Sequence, residues 1–144
     1  MCSSDLPCAG TTNHVVYVDG QAKLTGTWEM TGCIVATGKI IVNKPSDSGT
    51  ITIHQWGNLP ALMSKDSDVE IFDPMNIEGL VYANGWVLIG SSPGRSGPVV
   101  VYGALYGRNW VDIEMATELH YRTPNPPGLP AGTISIKTLS WSEG

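Results

Sequence analysis

Two stretches, GLVYANGWVLI at residues 79–89 and GALYGRNWVDI at 103–113, decide how this chain is read. They match position by position, and three further blocks align with them: HVVYVDGQAKL (14–24), GCIVATGKIIV (32–42) and ALMSKDSDVEI (61–71). The five starts lie 18, 29, 18 and 24 residues apart. Helical repeats keep a fixed length, so this uneven spacing points to constant strands separated by loops of variable length.

The columns of the alignment carry the physics. The third column is Val16, Ile34, Met63, Val81 and Leu105; the ninth is Ala22, Ile40, Val69, Val87 and Val111; the eleventh is Leu24, Val42, Ile71, Ile89 and Ile113. All are apolar, and the ninth and eleventh are two apart, which is strand periodicity. The tenth column between them is mixed (Lys23, Ile41, Glu70, Leu88, Asp112) and therefore faces outward. The sixth and seventh columns hold turn-forming pairs such as Asp19-Gly20 and Asn84-Gly85, residue types that accept positive φ at small cost.

Five consecutive hairpins would satisfy the alternation, but the apolar columns repeat in phase and a third strand is available between blocks, at Thr50–Ile53, Met75–Ile77 and Val99–Tyr102. The expected architecture is therefore all-β: a short right-handed parallel β-helix, a single-stranded solenoid of about five coils. Coils about 4.8 Å apart give a prism roughly 24 Å tall. The loops NKPSDSG (43–49) and GSSPGRSGP (90–98) are expected to bulge from it. Residues 1–13 read as an N-terminal extension and 14–121 as the solenoid. Residues 122–144 read as a Pro-rich strap (RTPNPPGLPAG, 122–132) followed by a capping strand at Thr133–Trp141. The prolines of the strap cannot join a sheet ladder, and a solenoid needs its last rung covered.

Composition agrees with a single domain of this kind. In 144 residues, 42% are hydrophobic and only 15% charged, and 17 Gly with 10 Pro suit a turn-rich fold. A net charge of −5 with eight Lys and Arg argues against nucleic acid as partner. No apolar run reaches the roughly 18 residues that span a bilayer. Met1-Cys2-Ser3-Ser4-Asp5-Leu6 resembles the translation of a sequencing adapter, which implies that the natural reading frame continues upstream and that a membrane anchor would lie there. Among the three cysteines, Cys8 and Cys33 leave two alternatives open, a disulfide or two free thiols, and none has zinc-site spacing.

The pattern G-[LA]-[VL]-Y-[AG]-x-x-W-V-x-I at Gly79–Ile89 and Gly103–Ile113, together with Leu119-His120-Tyr121, Asn125-Pro126-Pro127-Gly128-Leu129 and Ser140-Trp141-Ser142-Glu143, resembles the C-terminal β-helical region of PilX-type type IV pilus assembly proteins and related pilin-like surface proteins. The likeness covers about residues 14–143. It implies a non-enzymatic, extracytoplasmic domain, associated with the cell envelope or a pilus, that acts in pilus assembly or adhesion. Its partners would be other pilus or surface proteins or a glycan. The resemblance brings no catalytic residues and no cofactor. Similar rungs occur in polymer-forming cytoskeletal scaffolds, which makes self-assembly by end-to-end stacking the alternative.

The candidate binding residues are aromatic and lie in outward columns: Tyr82 and Tyr106 in the fourth, Trp86 and Trp110 in the eighth. Successive coils would stack Tyr82 on Tyr106 and Trp86 on Trp110, either as a ladder that stabilises the rungs or as an exposed strip that binds a partner protein or glycan. The same stacking sets Lys39 beside Asp68. The acidic run Asp66, Asp68, Glu70 and Asp73 lacks the spacing of a calcium loop and reads as a solvated edge. Glu70, Asp112 and Glu114 are the only carboxylates that suggest polysaccharide cleavage, which needs two carboxyl groups about 5–10 Å apart. His14, His54 and His120 have neither nucleophile partner nor metal spacing and read as surface or cap residues.

Overall fold

The computed structural model describes residues 14–90 and 97–120, together with the backbone of Asp5–Leu6. Among the described residues there is no helix. The strands are β1 (Asp5–Leu6), β2 (Val15–Val18), β3 (Ala22–Leu24), β4 (Trp28–Thr31), β5 (Cys33–Ala36), β6 (Ile40–Val42) and β7 (Ile51–His54). They continue with β8 (Leu62–Ser64), β9 (Val69–Ile71), β10 (Met75–Ala83), β11 (Trp86–Ile89), β12 (Val99–Gly107), β13 (Trp110–Ile113) and β14 (Thr117–His120). The central part of the 90–98 loop, the strap, the capping strand, Cys8 and most of the N-terminal extension lie outside the described residues.

Two sheets form, and the pairings within them are parallel. The first runs β1-β3-β6-β9-β11-β13. The second runs β14-β12-β10-β8-β5-β2, with β4 and β7 joined to it through β10. Parallel neighbours need a long crossover between them, and the 18- to 29-residue spacing of the sequence blocks supplies it. Strands β2, β3 and β4 pair in order with β5, β6 and β7. Those pair in turn with β8, β9 and the start of β10. Such a progression of strand triplets is compatible with a parallel β-helix.

The registers reproduce the sequence columns. Ala22, Ile40, Val69, Val87 and Val111 are successive partners in the first sheet, and so are Leu24, Val42, Ile71, Ile89 and Ile113. The first four members of each column are fully buried. In the second sheet, Ile51 and Ile53 line up with Met75 and Ile77, which line up with Val99 and Val101, all of them buried. Each such aliphatic side chain contributes about 1.5–3 kcal/mol on burial. The interior is one continuous apolar cluster built from these columns.

Two expectations need correction. In the third block the inward residue is Leu62, paired with Ile34 and Val81, while Met63 faces outward beside Val35 and Tyr82. Ser64, expected outside, is fully buried; its hydroxyl donates to the Gly38 carbonyl (2.8 Å) and accepts the Ser67 N–H (3.1 Å). The turn after β8 holds one residue more than the others, and the buried hydroxyl satisfies it. The loop at 43–49 exposes Pro45, Ser46 and Ser48 and is closed by an Asp47 N–H to Lys44 carbonyl bond of 2.7 Å, but its base is pinned inside. Asn43 is fully buried with φ +46°, a backbone region that asparagine tolerates better than most residues. Its side chain accepts the Gly26 N–H (2.8 Å) and donates to the carbonyls of Gly26 (3.3 Å) and Gly49 (3.1 Å).

Strands β10 and β12 each run nine residues and pair along their whole length, from Met75 opposite Val99 to Ala83 opposite Gly107. Midway, β10 changes its other partner from β7 to β8. Gly79 sits at that change with φ +128°, and a side chain on its partner Gly103 would run into the Gly79 carbonyl. Only glycine lets the two backbones pass the corner so closely.

The last triplet differs from the rest. Val111 is 37% exposed and Ile113 is 48% exposed, although their in-register neighbours Val87 and Ile89 are fully buried.

Candidate functional site

The four aromatic residues expected to stack do so. Tyr82 pairs with Tyr106 and their rings are parallel, 2° between planes and 5.4 Å between centroids. Trp86 pairs with Trp110 at 4.6 Å with a 41° tilt. The tyrosines lie one residue before the ends of β10 and β12 and the tryptophans open β11 and β13, so the two stacks flank the turns at 84–85 and 108–109. At the apex of that corner Arg108 Nη1 donates to Asn84 Oδ1 (3.2 Å). Tyr106 is 41% exposed and Trp110 is 53% exposed.

The tyrosine column extends further than the stacked pair. Tyr17, Val35, Met63, Tyr82 and Tyr106 follow one another in register along the outer face of β2, β5, β8, β10 and β12. Tyr17 and Tyr106, at its two ends, are exposed, and the three residues between are partly exposed. An outward column without a charge is unusual for a protein surface and forms an apolar stripe. Sequence columns alone gave Ser64 at the third place, which interrupted the stripe.

Three charged residues meet across neighbouring strands. Lys39 Nζ lies 2.8 Å from Glu70 Oε2 and 3.8 Å from Asp68 Oδ2. The hydrogen bond to Glu70, with both carboxylates nearby, holds the Lys39 ammonium above its usual range. Asp68 also accepts the Trp86 N–H at 2.9 Å, tying the acidic column to the aromatic one. Asp73, expected on a solvated edge, is instead buried and accepts the Gly49 N–H at 2.8 Å. Glu70 and Asp112 share an outward column, but Leu88 stands between them in register. Among the described residues no group of three or more His, Cys, Asp or Glu is placed to hold a metal ion.

The histidines are more engaged than their sequence positions suggest. The His14 ring stacks on Trp56 at 4.1 Å and 5°, and the His120 ring stacks on Tyr102 at 4.6 Å and 15°. His54 lies between Glu29 and Glu78, which come from the neighbouring strands β4 and β10. Sequence reading missed this cluster because β4 was not expected as a strand; its alternation of Glu29 and Thr31 with Trp28 and Met30 was the available signal. Cys33 is a free, buried thiol, and burial pushes its pKa up to about 12.

Comparison with protein-family models, curated proteins and solved structures found no match to this chain.

Proposed function

We propose that the chain winds as a right-handed parallel β-helix of about five coils. In this reading it is a rigid, non-enzymatic module that binds a partner protein or a glycan through the corner formed by Tyr82, Tyr106, Trp86 and Trp110. The observation that carries the reading is the grouping of four large aromatic side chains around one corner, with Tyr106 and Trp110 exposed. Aromatic residues dominate the energetics of recognition surfaces, and exposed apolar patches of this kind mark them. A stack of parallel strands holds the backbone of such a surface in place, which lowers the ordering cost on binding.

The cellular setting is proposed from the resemblance to PilX-type proteins: an extracytoplasmic, pilus-associated domain whose partners are other pilus or surface proteins. The test uses Tyr106→Ala and Trp110→Ala, each checked for cooperative unfolding, against purified pilin subunits and a glycan panel. Retained folding with lost binding supports the proposal; unchanged binding overturns it.

A second reading, self-assembly by end-to-end stacking, is favoured by the exposed Val111 and Ile113 in the final triplet. It predicts concentration-dependent filaments that Val111→Lys abolishes.

A further inference from the structure

His54 Nε2 lies 2.5 Å from Glu29 Oε2, and His54 Nδ1 lies 3.2 Å from Glu78 Oε2. A carboxylate only accepts hydrogen bonds, and a neutral imidazole carries one N–H. With each ring nitrogen on a different carboxylate, both bonds form only when both nitrogens donate. The geometry is therefore that of an imidazolium held between two carboxylates. A metal ion does not suit it, because the two carboxylates lie at opposite nitrogens of the ring.

The three side chains come from strands that are adjacent in the order β4-β7-β10. Strand β4 pairs with β7 and with no other strand among the described residues. We propose that His54 is a proton-operated clamp: the bound proton ties β4 through β7 to β10 across their outer face, and loss of that proton to water loosens the hold on β4. This device is independent of the aromatic corner.

Among the described residues, the titratable groups that face the cluster come from four strands and from His14. Strand β4 contributes Glu29 and β10 contributes Glu78, whose Oε1 also accepts the Gln55 N–H at 3.3 Å. Beyond β10 the same face carries Tyr102 on β12, then Glu118 and His120 on β14, the last two 3.4 Å apart. On the other side His14 Nδ1 lies 3.2 Å from the Thr31 carbonyl oxygen, at the end of β4. The Glu29 hydrogen bond first, and the Glu78 bond second, raise the His54 pKa above the ordinary histidine value. A raised folded pKa means that the stabilisation is fully present below the unfolded value of about 6.5 and is lost as pH rises through the folded one. All three side chains are partly exposed, so the proton exchanges freely with solvent.

The test follows the His54 ring resonances by NMR in the full chain, alongside amide hydrogen exchange in β4 and at Gly32, whose N–H donates to the His54 carbonyl at 2.9 Å. His54 is expected to titrate above about 6.5. At each pH, exchange is compared with His54→Gln, which cancels the intrinsic pH dependence of exchange. The variant is expected to exchange faster at low pH, and the ratio of the two rates is expected to fall toward one as His54 deprotonates. Glu29→Gln keeps the imidazole and is expected to lower its titration point, so a readout remains if His54→Gln does not fold. A His54 that titrates at or below the ordinary value, a rate ratio unchanged across its titration, or no downward shift in Glu29→Gln would each overturn the clamp.

Discussion

Trp86 and Trp110 stand directly opposite each other in parallel register, their ring centroids 4.6 Å apart. A parallel sheet repeats its register from strand to strand, so one outward aromatic column becomes a stack without any loop having to position it. The Tyr82–Tyr106 stack on the other side of the corner arises in the same way. Packing and recognition draw on the same rings, and they can be separated by experiment. A double-mutant cycle on Tyr82→Ala and Tyr106→Ala, read by denaturant unfolding, is expected to give a coupling of about 0.5–1.5 kcal/mol.

Asn43 should be more sensitive than its place in a polar loop suggests. Replacement by alanine removes three hydrogen bonds from a buried corner and leaves a left-handed backbone on a residue with Cβ. The expected loss is about 2–4 kcal/mol. Asn43→Gly keeps the backbone at ease and is expected to recover only part of that loss, which the denaturation midpoints of the two variants will show.

Cys33 should be chemically silent while the protein is folded. Its thiol is buried and its pKa is pushed up to about 12, so thiolate is scarce at pH 8. An aromatic disulfide reagent is expected to label Cys33 in denaturant and to leave it unmodified in buffer at the same pH. Peptide mapping distinguishes it from the other cysteines.

The Lys39 pair with Glu70 should matter little near neutrality. Both groups are partly exposed, and a surface pair of this type contributes about 0.2–1 kcal/mol. Glu70→Gln is expected to fall within that range and to shrink as salt is added. Because the ammonium is held above its usual range, the contribution is complete below about pH 10.4 and is lost as pH rises through the folded value. Unfolding midpoints at pH 8 and above pH 11, compared with Glu70→Gln, check the sign.

The ninth and eleventh columns were legible because alternating aliphatic residues at constant phase have few other interpretations than stacked strands. The third block was misaligned by one residue because Leu62 and Met63 are both apolar, and only the extra residue in the following turn separates them. Asn43 was unreadable as a corner residue because asparagine is equally at home in a solvent loop. The Glu29–His54–Glu78 cluster was hidden for a geometric reason. Its members are 25 and 24 residues apart and fall between copies of the recurring block, so no column of the alignment contained them.

The unbroken run of β10 and β12 around the Gly79–Gly103 corner has a mechanical consequence. Where the other strands meet their neighbours over two to four residues, these two are laced together over nine. Tension applied along the chain would have to shear that long seam as a unit, whereas the short rungs on either side can peel away one at a time. The seam should therefore be the last part to yield under load, and it lies immediately beside the corner that carries the aromatic rings.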